Sequence, residues 1–372
     1  MQSLLFDSED YGVAVSPEIN EAIEANAPVA LGVSGGKDSC AMAFAVDDHL
    51  NEVGHHGQRI LIHADLGAVE WSDSLPTCQR LADALGHELV VVQRRAGGMM
   101  ERWQGRWAAN VKRYENLECV KLILPWSTPS MRFCTSELKV APITSALKKR
   151  FGGATIINGI GIRAEESKSR AKRPVSQANK RLFRKTDQTS GLDWNPILHW
   201  KTENVFRICE ERGFLMHEAY RKYGSSRVSC SFCMLATLSD HRAAAAHEDN
   251  QDVYREMVDL EIRSTFSFQS DRWLGDARDD LLSSNQRLAL EEAKLKAERR
   301  QFAESKIGKE LCYEKGWPKF VPSEEACELI AAVRFQVGQT CGLKCNYLTG
   351  RSVQERYREL IQMKETKDAK SV

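Results

Sequence analysis

No run of about 18 apolar residues occurs in the 372-residue chain, so no transmembrane helix is expected. Neither sign of charge prevails. Fifty-two Lys and Arg stand against 51 Asp and Glu, a formal net charge of +1. The chain as a whole therefore gives no argument for a polyanionic partner, and any such argument must come from a local patch. The opening residues, MQSLLFDSEDYG, have no basic start followed by an apolar run, which does not read as a secretory leader. A cytoplasmic location is expected, with no membrane partner. Internal repeats and low-complexity tracts are missing as well.

Cysteine is plentiful, with 11 residues. In a reducing compartment such numbers point to metal or redox chemistry for some of them rather than to structural disulfides. Hydrophobic residues make up 42% of the chain, enough for a substantial core. The length allows one large α/β domain with a smaller appendage, or two domains.

Short apolar runs alternate with helical patterns along the first half. Residues 29–33 (VALGV), 60–62, 88–92 and 154–158 (ATIIN) read as strands. Residues 40–50, 75–85, 142–149 and 201–213 read as helices, the second and fourth ended by Gly86 and Gly213. This alternation predicts an α/β fold, an open parallel sheet with helices on both faces. The pattern weakens between residues 94 and 133, as in an inserted helical segment. Residues 163–185 hold nine Lys and Arg without apolar periodicity and read as a mobile basic loop. Beyond about residue 240, strings such as LALEEAKLKAERRQFAESK predict a separate helical region, with the last residues, KETKDAKSV, frayed. The expected organisation is an N-terminal extension (1–26), a nucleotide-binding domain (27–240) and a helical C-terminal region (241–372).

The segment VALGV-SGGKDS-CAMAFAV is strand, loop and helix. Adjacent glycines let the backbone turn tightly and approach a ligand closely. Successive backbone amides then form an anion concavity, and the helix adds its positive end. Lys37 supplies a mobile charge, and Ser34 and Ser39 supply hydroxyls. The spacing is not that of the common G-x-x-x-x-G-K-[ST] loop, because Lys37 directly follows Gly36 and Asp38 follows Lys37. Ser34-Gly35-Gly36-Lys37-Asp38-Ser39 resembles the pyrophosphate loop of the adenine nucleotide α-hydrolase superfamily, which implies a bound adenine nucleotide with chemistry at its α-phosphate or at the equivalent sulfate.

Four further strings lie in the order of the phosphoadenylyl-sulfate (PAPS) reductase family. Asp65 in HADLGAVE resembles a strand-end aspartate, with Leu66 where threonine is usual. Cys134 in FCTSELKVAP resembles the family's Cys-Cys-x-x-x-Lys-Val-x-Pro string with Phe133 in place of the first cysteine. That single cysteine is similar to the DNA-phosphorothioation and phage-type branches. Gly161, Arg163, Glu166 and Arg170 in NGIGIRAEESKSR resemble the string that closes over the nucleotide. Asn195-Pro196-Ile197-Leu198-His199-Trp200 is similar to a Pro-Ile-x-x-Trp segment and runs on to Cys230-x-x-Cys233.

The resemblance implies Ser34, Gly35, Gly36, Lys37, Asp38, Ser39, Asp65, Gly161, Arg163 and Arg170 at the nucleotide, with Lys37 and Asp38 catalytic. It also implies ATP or adenylyl sulfate/PAPS as the nucleotide and Mg²⁺ positioned by Asp38 or Asp65. Cys230-x-x-Cys233 has the spacing of two thiolates on one metal or cluster edge. With Cys134 it implies a [4Fe–4S] cluster, zinc and a redox dithiol being the other readings of that spacing. His241, Cys341 and Cys345 are candidates for a fourth ligand. Cys40, Cys78, Cys119, Cys209, Cys312 and Cys327 read as small hydrophobes. Thr340-Cys341-Gly342-Leu343 lacks the flanking Glu and His of the reductases' C-terminal nucleophile.

Three functions fit these strings. The first is ATP-dependent activation coupled to sulfur transfer, with a sulfur donor and a nucleic-acid acceptor held by the basic loop 163–185. The second is reduction of adenylyl sulfate or PAPS to sulfite, resolved by a thioredoxin-type dithiol. The third is a non-catalytic nucleotide-binding subunit of a modification or defence system.

Overall fold

The computed structural model describes residues 12–369. The readings of residues 1–11 and 370–372 lie outside that range. The described chain forms two compact units. One holds the residues through Met99 together with Thr128–Gln251, and the other holds Met100–Ser127 with the residues from Asp252 on.

The first unit is built on six strands, β1 (Val29–Gly32), β2 (Arg59–Asp65), β3 (Glu88–Gln93), β4 (Thr155–Ile160), β5 (Ser176–Ala178) and β6 (Ser190–Trp194), in the order β3-β2-β1-β4-β6-β5. Every neighbouring pair is parallel except β5 against β6. Successive strand residues point to opposite faces. Val29, Leu31, Leu61 and Ile157 go to one face, where α1 (Pro17–Glu24), α2 (Lys37–Glu52), α3 (Ser74–Leu85) and α7 (Thr202–Glu211) cover them. Ala30, Ile60, Ile62 and Ile156 go to the other, under Leu147 of α6 (Ala141–Arg150). The α/β fold expected from the sequence, an open, mostly parallel sheet with helices on both faces, is the observed one.

Several boundaries differ from the sequence reading. The helix expected from Cys40 begins at Lys37, so the loop lysine opens the helix. Helix α1 starts on Pro17 behind the Ser16 cap and buries Ile19, Ala22 and Ile23 in the main core, so the described part of segment 1–26 belongs to the first unit. The later part of the basic stretch is held to the sheet. Ser176–Ala178 pair with β6, Leu182 is buried, and Asn179 Nδ2 donates to Asp193 Oδ1 at 2.7 Å.

The second unit gathers α4 (Met99–Glu115, from Met100), α10 (Gln251–Ser264, from Asp252), α11 (Ser284–Ser305), α12 (Glu324–Cys341) and α13 (Gly350–Ala369). Residues 100–127 therefore group with the C-terminal helices rather than with the nucleotide-binding region where the sequence reading placed them. Buried charges explain this. Arg334 of α12, fully buried, donates to the carbonyls of Tyr114 (2.7 Å), Glu115 (3.1 Å) and Asn346 (2.8 Å), satisfying the end of α4. Glu304 of α11 accepts the Leu122 amide at 2.6 Å. The tail expected to fray is helical to Ala369.

Glu261 of α10 is the keystone of residues 265–275. Its Oε1 accepts the amides of Phe268 (2.6 Å) and Leu274 (2.7 Å), and its Oε2 accepts that of Gly275 (3.1 Å). Removing a fully buried acceptor leaves three donors unsatisfied, at about 1–3 kcal/mol each. Glu261→Ala is expected to lower unfolding stability by about 3 kcal/mol or more in urea titration. Glu261→Gln, which keeps one oxygen, is expected to lose less.

Candidate active site

β1 sits where the strand order reverses, with β2 on one side and β4 on the other. In open α/β sheets the crevice beyond the strand ends at such a point takes the ligand. Here a cavity of about 610 Å³ opens there, a size suited to a nucleotide. Ser34, Gly36, Lys37, Asp38 and Ser39 line it from the loop after β1, and Gly161, Arg163 and Arg170 line it from the segment after β4. Two glycines make the geometry possible. Gly35 has φ +72°, and a Cβ on it would lie 2.9 Å from the Ser74 carbonyl; a Cβ on Gly161 would lie 2.8 Å from that of Asp38.

Within the loop, some amides are spent internally. Ser39 Oγ accepts the Ser34 amide at 3.2 Å and donates to the Gly36 carbonyl at 2.9 Å. The Lys37 amide donates to Tyr220 Oη at 3.2 Å. Tyr220, on α8 (Glu218–Arg221), also accepts the Val228 amide at 3.1 Å, and so joins the loop to the segment ahead of Cys230. Burial pushes the Tyr220 phenol up, which keeps it a hydroxyl.

Asp38 is an ion-pair hub. Its Oδ2 meets Lys37 Nζ at 2.9 Å and its Oδ1 meets Arg163 Nε at 2.6 Å. Arg163 is buried, and its Nη1 reaches Glu165 Oε2 (2.6 Å) and Thr202 Oγ1 (3.1 Å). Burial alone would lower the Arg163 pKa, but the carboxylates of Asp38, Glu165 and Glu166 outweigh it and raise the pKa. Glu166 accepts the Arg163 amide at 2.9 Å and pairs with Arg170.

Sequence reasoning did not assign Arg132, Lys139, Thr202 and Arg227 to the nucleotide. Each lines the cavity. The Arg227 Nε is buried and has no protein partner among the described residues. In all, six cations (Lys37, Arg132, Lys139, Arg163, Arg170 and Arg227) face two carboxylates (Asp38 and Glu166), and both carboxylates are ion-paired. The excess suits a polyphosphate or phosphosulfate chain. One signal was legible: Lys139 stands in the same string as Cys134.

Asp65 does not line the cavity. Its Oδ1 accepts the Gly67 amide at 2.7 Å, which shapes the turn after β2. NPILHW is a packing element, with Ile197 and Trp200 in the core and Trp200 Nε1 donating to the Gly12 carbonyl at 3.1 Å.

His63 was also not singled out. Its Nδ1 faces the Val33 carbonyl at 3.0 Å and its Nε2 faces Glu70 Oε2 at 3.0 Å. Both partners are acceptors, so the ring is an imidazolium. Burial would lower its pKa, but hydrogen bonds to Cys78 and Glu70 outweigh burial and raise it to about 10.

Cys134, Cys230 and Cys233 are all half-buried; none lines the cavity, although their chain neighbours Thr135 and Ser229 do, and Lys139 of the lining acts on Cys230. Burial pushes the Cys230 thiol up; the Lys139 ammonium opposes this, while Cys233, Glu70 and Cys134 add to it. The three thiols share one electrostatic neighbourhood. Among the described residues, though, no three His, Cys, Asp or Glu side chains stand at metal-binding spacing. Cys230 is fixed by a backbone bridge to Glu70, and the Ser231 amide donates to the Val69 carbonyl at 2.7 Å. The three cysteines are not drawn to the spacing of a single metal ion, while three half-buried thiols are the donor type an iron–sulfur cluster takes. His241 Nε2 donates to the Cys233 carbonyl at 2.9 Å, and Cys341 and Cys345 belong to the second unit. Cys40, Cys78 and Cys209 lie in the core of the first unit and Cys119 and Cys327 in that of the second, while Cys312 is half-buried.

α8 depends on a neutral histidine. His217 Nδ1 accepts the Ala219 amide at 3.0 Å, and Nε2 lies 3.3 Å from Ser74 Oγ. Burial lowers its pKa to about 4. The unfolded chain takes up a proton near pH 6.5 that the folded one refuses until about pH 4, so stability is full above pH 6.5 and falls as pH drops toward 4, by about 3 kcal/mol at most. Unfolding measured across this window is expected to show the loss, and His217→Asn, which keeps an acceptor for Ala219, to flatten it.

No helix among the described residues is long and apolar enough to cross a membrane. Comparison with known proteins places residues 28–236 under the model of the phosphoadenosine phosphosulfate reductase domain. An uncharacterized 37.8 kDa protein from the gpa 5' region of Escherichia phage 186 is 28% identical over 242 residues, covering 56% of this chain and 67% of that one. Among solved structures, the U34-tRNA thiolase NcsA from Methanococcus maripaludis with its [4Fe–4S] cluster is 16% identical, with a TM-score of 0.37, covering 74% of this chain and 75% of that chain. The family match takes in more than half of the sequence, including the loop, the arginines and all three cavity-side cysteines: the chain belongs to the phosphoadenosine phosphosulfate reductase domain family, a family of nucleotide-binding enzymes of sulfur chemistry.

Proposed function

We propose that this enzyme adenylates an acceptor with ATP, releases pyrophosphate, and then replaces the activated oxygen with sulfur. The observation that carries the reading is the six-cation cavity around the SGGKDS loop, beside three thiols and beside the basic segment 163–185. An acceptor oxygen attacks the α-phosphorus and the α–β bridge breaks. Lys37 and the loop amides take up the charge of the departing pyrophosphate. Mg²⁺, which Asp38 would position, would offset the phosphates' negative charge. With Asp38 and Glu166 both ion-paired, this chain's own part is the cationic lining.

Sulfur reaches the acceptor from a persulfide on one of Cys134, Cys230 and Cys233, charged by an external sulfur donor. The terminal sulfur attacks the activated carbon and AMP leaves. A second thiolate of the three then attacks the inner sulfur, forming a disulfide and releasing the thiolated acceptor; an external dithiol returns the disulfide to thiols. A nucleic acid is the proposed acceptor, because phosphate contacts supply most non-specific affinity. No step is routed through a [4Fe–4S] cluster, although the all-sulfur donor set is of the kind such a cluster uses.

The test is anaerobic incubation with ATP, Mg²⁺ and a persulfide donor, with tRNA or DNA as acceptor, followed by mass spectrometry of the digested nucleosides. Sulfur in place of oxygen in one nucleic acid is the expected result. Sulfite formed from adenylyl sulfate or PAPS by the same preparation, with no thiolated nucleoside, would overturn it in favour of reduction.

A further inference from the structure

Among the described residues of the first unit, Phe183 is the most exposed large hydrophobic side chain, at 58%. Its neighbours on both sides are anchored. On one side Leu182 is buried against Gly191, whose missing Cβ makes the room. On the other, the Arg184 amide donates to the Thr189 carbonyl at 3.0 Å, Arg184 Nε meets Asp187 Oδ1 at 2.9 Å, and Arg184 Nη2 donates to the Lys148 carbonyl at 2.9 Å. An aromatic ring is thus held in solvent by an anchored hairpin.

The surroundings are cationic. Lys180, Arg181 and Lys185 are exposed on the same hairpin, and Asp187, the carboxylate of that turn, is already paired with Arg184. The bond to Lys148 brings the hairpin to the last turn of α6, where Lys149 is exposed. Lys149 also lines a groove of about 410 Å³ with Arg94 and Arg95. Glu137 lines this groove, while Thr135 and Lys139 of the same helical segment line the nucleotide cavity. Ten residues of α6 span about 15 Å at 1.5 Å each. A flexible polyanion lying along α6 can therefore touch the ring at one end and reach the nucleotide cavity at the other.

We propose that Phe183 is a stacking platform for a base of a single-stranded nucleic acid, with Lys149, Arg181 and Lys185 holding the adjacent phosphates. An aromatic face takes any base, and cations on both sides track the backbone. The inference rests on the nucleic-acid acceptor proposed above and adds where it docks.

The experiment is fluorescence anisotropy of the full chain with short labelled single-stranded DNA and RNA of the same sequence, without ATP, at salt from about 50 to 200 mM. Phe183→Ala is expected to weaken binding about tenfold with the salt dependence unchanged, and Phe183→Trp to restore it. Arg181→Ala/Lys185→Ala is expected to flatten the slope of log affinity against log salt by about 1.4, as for two lost phosphate contacts on a single strand. Wild-type affinity in Phe183→Ala, or no binding of either oligonucleotide by the wild type, overturns the proposal. Binding is read without ATP and needs no catalysis. Failure of ATP activation would leave the platform standing.

Discussion

Lys37→Ala is expected to lower ATP-dependent pyrophosphate release by about 100- to 1000-fold, the cost of removing one preorganised donor from a developing negative charge. Its ammonium is buried at the mouth of α2 and has one ion-pair partner, Asp38. Asp38 keeps its second partner, Arg163, at 2.6 Å, so the variant does not strand a carboxylate. The backbone bond from residue 37 to Tyr220 also survives, because it uses the amide and not the side chain. The loss should therefore fall on the chemistry. If the ammonium binds ground and transition states alike, KM rises and kcat holds. If it follows the departing pyrophosphate, as the cavity's charge excess argues, kcat falls most. Initial rates of pyrophosphate release over a range of ATP concentrations separate the two. Unfolding curves matching the wild type are expected alongside.

Cys230→Ser and Cys233→Ser are expected to keep pyrophosphate release within about threefold and to lose thiolated product by about 100-fold or more. Activation uses the cations of the loop and the arginine segment, whereas transfer needs a sulfur that can carry a second sulfur. A serine hydroxyl cannot form a persulfide. Cys230 stands beside Cys233, Cys134 and Lys139, and its backbone is tied to Glu70, so the swap of one atom leaves the fold's hydrogen bonds in place. The paired assay, pyrophosphate and thiolated nucleoside from one reaction, reads both halves. Transfer at the wild-type rate in both serine variants would take Cys230 and Cys233 out of the mechanism. Iron and sulfide analysis of anaerobic wild type and Cys230→Ala/Cys233→Ala proteins tests the cluster reading separately; metal held by these thiols is lost in the double variant.

The elements that sequence revealed are those whose signal is local. SGGKDS needed only its own glycines, its lysine and an apolar strand ahead of it, and the parallel core strands are short apolar runs. β5 and β6 were missed because SQA and SGLDW carry Gly, Asp and Ser and gain their order from pairing and from the Asn158–Asp193–Asn179 side-chain contacts. The grouping of residues 100–127 was hidden for a similar reason. It rests on Arg334 and Glu304, about two hundred positions away in sequence, turned inward to satisfy backbone groups. Of the site, the loop and the 161–170 string were legible. Arg132 and Arg227 were not, since each is a lone arginine until the fold carries it to the cavity wall. Asp65 was read for its place at a strand end, and its side chain instead turns back onto Gly67.

ATP is expected in the cavity between the SGGKDS loop and Arg163, split there at its α-phosphate. The most direct measurement is product analysis with ATP labelled at the α-phosphorus, run with the nucleic-acid acceptor under anaerobic conditions. Label recovered in AMP and in an adenylylated acceptor, and absent when Lys37 is Ala, is the result this account expects. Label recovered in ADP would place the cut at the γ-phosphate and contradict it.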